Sequence, residues 1–249
     1  MCDGINIIKT YCESEEDLLS KTPPQESQIN RKQHFNAREQ SEKDFFELSV
    51  CVSVDTSETE IINRGDINNE EYCKQIILMQ PDLIIVYGSS IIKKNLLSAF
   101  PKKILNVHLG LSPYYRGAAT NFWPLVDMLP ECVGATYMFI DEGIDTGEII
   151  HQIRPTINYY DTPSTIGNRL IKEMTEIFCK LIIEFDKLQK PQPVKFSAFR
   201  KFCKKKDYSE EAVFKLYDNF NKGMIQDYLA QKKEKDQAFP IVNNPMFSN

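Results

Sequence analysis

The residues best placed to do chemistry in this chain are Asn106 and His108, which close the apolar run KILNVH. On a strand, an i, i+2 spacing puts both side chains on one face. An amide and a ring that titrates near neutrality can then converge on one reacting atom. That is a catalytic geometry. Taken alone, Asn-x-His is also the end of a strand whose amide caps a turn and whose ring fills space. Asp145, in GIDTG, has the same two readings, because a turn residue ahead of Gly147 is common in hairpins.

The segments that must position these residues alternate in type. Asn68 to Met79 reads as a capped helix, PDLIIVYGSS as a buried parallel strand closed by Gly and Ser, KKNLLSAF as a short amphipathic helix and KILNVH as the next strand. This alternation predicts an α/β, Rossmann-like, mostly parallel sheet with flanking helices, in which ligands bind at the carboxyl ends of strands. INIIKT reads as an earlier strand, and the loop at Pro23-Pro24 leads into a polar helix through Phe46. LGLSPYYRGAAT is a turn-rich loop, followed by a helix beginning near Ala118 that carries Trp123. CVGATYMFI and EIIHQIRP flank GIDTG as a hairpin. DTPST caps a long helix with Ile166, Leu170, Met174, Ile177, Phe178 and Leu181 on one stripe. The pattern changes at KLQKPQPVKFSAF, which divides the chain into a main domain over 1–188 and a small helical or hairpin appendage over 189–249 that serves substrate binding or dimerisation.

Hydrophobic content of 42% and charged content of 26% are ordinary for a globular protein. No apolar run approaches a membrane span, and the amino-terminal residues lack the basic start and long apolar stretch of a secretory signal, so a cytoplasmic, membrane-free protein is expected. A net charge of −5 argues against a nucleic-acid partner. The cluster of Lys201, Lys204, Lys205 and Lys206 reads as a solvated run, with a phosphate-facing role as the alternative. Seven scattered cysteines without CxxC spacing read as reduced thiols, and no metal site is expected.

Taken together, NVHLGLSPYYRG and the later GIDTGEII resemble the folate-dependent formyltransferase family: an Asn-x-His strand end, a loop of the form S-x-L-P-x-Y-R-G and an Asp in a D-x-G turn. The chain departs from that pattern at Leu111-Ser112-Pro113. The resemblance implies that Asn106, His108 and Asp145 are the catalytic trio and that 10-formyltetrahydrofolate is the co-substrate. An amide N–H would stabilise the oxyanion of the tetrahedral carbon, the imidazole would serve as base and then acid, and the carboxylate would orient the ring. It further implies pterin contacts from Tyr87, Gly88, Ser89, Phe139, Ile140, Asp141 and Gly143, and substrate contacts from Ser112, Pro113, Tyr115, Arg116 and Gly117.

Three acceptors fit such an enzyme: initiator methionyl-tRNA, glycinamide ribonucleotide and an amino sugar on a nucleotide. The tail from KKKDYSEEAVFKLYDNF onward and HFNAREQSEKDFF resemble nucleotide-linked amino-sugar N-formyltransferases, those acting on 4-amino-4,6-dideoxyglucose attached to thymidine or uridine diphosphate above all. The resemblance implies a nucleotide-diphosphate amino sugar as partner and allows a homodimer. In it, INIIKT matches the family's second strand, so the first strand–helix unit is expected to be missing. Two further readings follow from that: a folate- or nucleotide-binding homologue with impaired turnover, and a formyltetrahydrofolate hydrolase in which the same trio activates water.

Overall fold

Alternating β-branched runs and amphipathic segments fold here, in a computed structural model that describes residues 4–14, 28–53 and 57–247, into an α/β arrangement. Strand β1 (Lys9–Glu13) pairs in parallel with β2 (Glu58–Ile62), and the long helix α1 (Ile29–Val52) lies between them in sequence. The first strand starts later than INIIKT suggests. Ile7 and Ile8 are exposed, whereas Lys9 meets the carboxylates of Glu58 and Glu60 across the pair. α1 also continues beyond Phe46.

Helix α2 (Glu70–Met79) places Glu70 and Glu71 in its first turn, where carboxylates complement the helix dipole, and leads to β3 (Ile84–Val86). After α3 (Lys94–Ala99), β4 (Ile104–His108) pairs in parallel with β3, which sets Val86 opposite Asn106. β5 (Tyr115–Gly117) follows. The helix expected from Ala118 is only the single turn α4 (Trp123–Val126), because Ala119 has a positive φ of 56° and Pro124 can stand only at a helix start. Strands β6 (Ala135–Phe139) and β7 (Ile149–Ile153) form the expected hairpin. The resulting sheet has the order β3-β4-β6-β7, with the hairpin antiparallel to β4. Helix α5 (Pro163–Ile183) begins with a capping box in which the Thr165 amide donates to the Thr162 hydroxyl at 3.2 Å and the Thr162 amide donates to the Thr165 hydroxyl at 2.9 Å.

Beyond α5, β8 (Lys201–Cys203) pairs in parallel with β5, and helices α6 (Glu210–Asn221), α7 (Met224–Ala230) and α8 (Lys232–Ala238) follow. Among the described residues 189–247 there is no hairpin. The strand completes β5 instead, and Val242 exchanges hydrogen bonds with Gln152 of β7. Leu216, Met224, Ile225 and Tyr228 join Leu105, Val107, Ala135 and Tyr137 in one apolar core. A second, smaller core gathers Ile62, Ile76, Val86, Leu96 and Ile104 beneath β3. Cys12, Cys51, Cys73, Cys132 and Cys203 are free thiols, but Cys179 is disulfide-bonded, which corrects the reading of every cysteine as reduced. Spacing along a chain does not report which thiols meet in space. No described helix is long and apolar enough to cross a membrane.

Candidate active site

Asn106, His108 and Asp145 come together on the wall of a cavity of about 770 Å³. His108 ends β4 opposite Thr136, and the hairpin turn swings Asp145 back over it, leaving Nδ1 3.3 Å from the Asp145 carboxylate. The other ring nitrogen lies 3.3 Å from the Tyr115 carbonyl. Burial pulls the His108 pKa down, and the Asp145 carboxylate and Tyr115 carbonyl oppose it without overcoming it. The ring therefore rests neutral and able to accept a proton. Once it is charged, both nitrogens carry N–H groups that face acceptors.

The turn that carries Asp145 leaves little freedom. Asp145 itself holds φ at 53°, a region costly for a non-glycine residue and one that persists only when the surroundings dictate it. Those surroundings are visible. The Gly117 amide donates to the Asp145 carboxylate at 3.0 Å, and the Ser112 hydroxyl donates to the Asp145 carbonyl at 3.4 Å. A Cβ on Gly147 would fall 1.7 Å from the Phe139 carbonyl oxygen, so the chain passes there only as glycine. Gly110 does the same for the imidazole, since its Cβ would stand 2.5 Å from His108 Nε2.

The loop between β4 and β5 is tied down by a buried polar network that the sequence reading did not single out. Thr136 donates its hydroxyl to the Gly110 carbonyl at 2.6 Å and accepts from the Ser112 amide at 3.0 Å and Gln152 Nε2 at 2.9 Å. Gln152 also donates to the Ser112 carbonyl at 2.6 Å. Every polar group of this pair is used, which is what makes a buried network rigid. The clue in the sequence is a Thr and a Gln in mostly apolar strands.

The residues expected to meet the folate all line the cavity: Tyr87, Gly88 and Ser89 after β3, and Phe139, Ile140, Asp141 and Gly143 after β6. Gly88 has φ of 62° and open space where a Cβ would be, so backbone is presented to the cavity there. This opening suits the approach of a flat ring. Of the expected substrate contacts, only Gly117 lines the cavity; Ser112, Pro113, Tyr115 and Arg116 do not. Tyr115 is fully buried, with its hydroxyl donating to Asp127 at 2.9 Å, and Ser112 is consumed by the loop network. Tyr115 and Ser112 thus hold the loop together. In their place the cavity wall includes His34, Phe35 and Arg38 of α1, Arg64, and Lys205 and Tyr208 ahead of α6. Among the described residues, no group of three or more His, Cys, Asp or Glu could hold a metal ion.

Residues 19–182 match the formyl transferase family. The chain belongs to that family. A methionyl-tRNA formyltransferase from Carboxydothermus hydrogenoformans is 40% identical over 118 residues, which are 47% of this chain and 36% of that protein. One from Buchnera aphidicola is 28% identical over 200 residues, 74% of this chain and 63% of its own length. The chain thus spans less than two thirds of either relative. Among solved structures, the formyltransferase PseJ from Anoxybacillus kamchatkensis, determined with UDP-4,6-dideoxy-4-formamido-L-AltNAc and tetrahydrofolate, shares the fold at 24% identity and a TM-score of 0.51, over 85% of this chain and 97% of that one. A sugar N-formyltransferase from a Shewanella species shares it at 19% identity and a TM-score of 0.50, over 82% and 79% of the two chains.

Proposed function

We propose that this protein transfers a formyl group from 10-formyltetrahydrofolate to the amino group of a nucleotide-diphosphate-linked amino sugar. The observation that carries the transfer is the convergence of Asn106, neutral His108 and Asp145 on one cavity wall beside the Gly88 opening. The acceptor amine attacks the formyl carbon, and the Asn106 amide stabilises the oxyanion that forms. His108 takes the amine's proton, with the Asp145 carboxylate satisfying the imidazolium, and returns it to the folate nitrogen as that carbon–nitrogen bond breaks. Acceptor nitrogen and formyl carbon end joined, tetrahydrofolate leaves, and the proton count balances.

Support for the sugar nucleotide comes from cations and aromatic rings that line the same cavity, Arg38, Arg64 and Lys205 with Phe35 and Tyr208, which suit phosphates and a base. The net charge of −5 weighs against a transfer RNA. The test is a turnover assay with 10-formyltetrahydrofolate and a panel of thymidine- and uridine-diphosphate amino sugars, glycinamide ribonucleotide, methionyl-tRNA and water alone. Formylation of a sugar nucleotide at an ordinary enzymatic rate is expected. Formylation of the transfer RNA alone, or release of formate without an acceptor, would replace this reading.

A further inference from the structure

We propose that the inner face of α1 is the wall that reads the acceptor, with His34, Phe35 and Arg38 joined by Lys205 and Tyr208 to hold a phosphorylated molecule that carries a flat ring. This rests on the formyl-transfer reading but not on the identity of the acceptor.

The composition of α1 is the first argument. A helix packed against α5 and α6 is expected to bury an apolar stripe, yet the one buried residue of its 24 is His34. Arg31, His34, Phe35, Arg38 and Glu42 recur at the three- and four-residue spacings that share one helix face. Four of them, His34, Phe35, Arg38 and Glu42, line the same cavity as Asn106 and His108. A polar and aromatic inward face contributes little to packing and much to binding a polar ligand.

The second argument is how that face is held. His34 sits among Phe35, Phe122, Tyr208 and Tyr217, with ring centroids 5.8–6.3 Å away, and its Nδ1 shares a 3.0 Å hydrogen bond with the Tyr217 hydroxyl. Burial lowers the His34 pKa to about 4, so the ring is neutral. The register of α1 is fixed from outside. Glu210, in the first turn of α6, accepts hydrogen bonds from the Asn30 and Arg31 amides at 2.7 and 2.9 Å, capping a helix that has no side-chain cap of its own. Arg38 is paired with Glu42 at 2.6 Å, and its charge bears on both Tyr87 and Tyr208.

The test is calorimetric titration of uridine diphosphate, thymidine diphosphate and tetrahydrofolate into the wild-type chain, Arg38→Met and His34→Phe, with steady-state kinetics on whichever acceptor is turned over. Arg38 is 46% exposed at its side chain, so Arg38→Met leaves the fold intact and decides the matter if His34→Phe does not fold. The expected result for Arg38→Met is a roughly tenfold weaker nucleotide, as for one lost charge-assisted contact. Acceptor KM should rise, with kcat within about threefold and tetrahydrofolate binding within about twofold of wild type. Equal nucleotide affinity in wild type and Arg38→Met would overturn the α1 site and leave the sugar-nucleotide reading standing. If no nucleoside diphosphate binds, but another phosphorylated amine is formylated with a KM that depends on Arg38, the α1 site stands and the sugar-nucleotide reading falls. Loss of tetrahydrofolate affinity in step with nucleotide affinity would assign Arg38 to the donor and overturn the proposal.

Discussion

The wall that carries Asn106, His108 and Asp145 and the wall formed by α1 face the same cavity but are built by opposite means. The first is interlocked: Thr136 and Gln152 are saturated with hydrogen bonds, and Gly110, Gly117 and Gly147 stand where a single methyl group would collide with side chain or backbone. The second is held by a few aromatic contacts and by Glu210, on a helix with one buried residue and with Leu48 and Val50 about three-quarters exposed. Chemistry demands placement to a fraction of an ångström, whereas recognition of a flexible phosphorylated ligand tolerates adjustment. Changes on the first wall should therefore act on turnover or on folding, and changes on the second on affinity.

The largest effects are expected at the reacting groups. Asn106→Ala should lower kcat about a hundred- to thousandfold, the scale of a lost oxyanion donor, and His108→Ala by at least about a hundredfold. Both should leave nucleotide affinity near wild type in calorimetry, and an intact kcat in either variant would remove that residue from the mechanism. Gly147→Ala comes next. Its Cβ meets a backbone carbonyl rather than a movable side chain, so the turn must shift, at a cost of about 1–3 kcal/mol by analogy with overpacking. Asp145 would shift with it, so denaturant melts and kcat should both fall. A stable, fully active Gly147→Ala would show the turn to be softer than its contacts imply.

Much of the first wall was legible because its signals are local. A strand ending in Asn-x-His, glycines in a turn and the alternation of helix and strand are all set by residues near in sequence, and the family resemblance they carry pointed to residues 87–89, 139–141 and 143, which line the cavity. The loop's own bonding was not legible. The resemblance implies ligand contacts at Ser112 and Tyr115, whereas the structure engages their polar atoms with Asp145, Thr136 and Asp127, none of them a sequence neighbour. The α1 wall was illegible for the complementary reason. Its cap comes from Glu210 and its aromatic setting from Phe122, Tyr208 and Tyr217, so nothing in HFNAREQSEKDFF alone distinguishes a cavity face from a solvated one.

Acid should separate the two walls from their surroundings. Burial lowers the pKa of His34 and His151 to about 4, from an ordinary value of 6.5, and also lowers that of His108. Between those values the unfolded chain binds protons that the folded chain refuses, so stability falls as pH drops from about 6.5 towards 4 and is flat above. A loss of roughly 2–3 kcal/mol is expected for each of His34 and His151 across that window. Urea melts at stepped pH would measure it, and His151→Phe, on the strand away from the cavity wall, should shallow the slope. A stability that held constant from pH 7 to 4.5 would contradict the burial of these rings.

The smallest effect gives the sharpest contrast with α1. Tyr115 is fully buried, and its hydroxyl donates to Asp127, whose carboxylate also receives Lys201 at 2.6 Å. In Tyr115→Phe the ring still fills its place, Asp127 keeps a partner, and the backbone carbonyl of residue 115 still faces His108. One hydrogen bond is lost, worth about 1 kcal/mol of stability. The expected variant melts slightly earlier, while kcat, acceptor KM and the pH profile of turnover stay at wild-type values. Arg38→Met should show the reverse, an unchanged melt and a raised KM. A Tyr115→Phe variant whose acceptor KM rises fivefold or more at unchanged stability would put the phenol on the ligand and move the acceptor wall from α1 to the loop after β4.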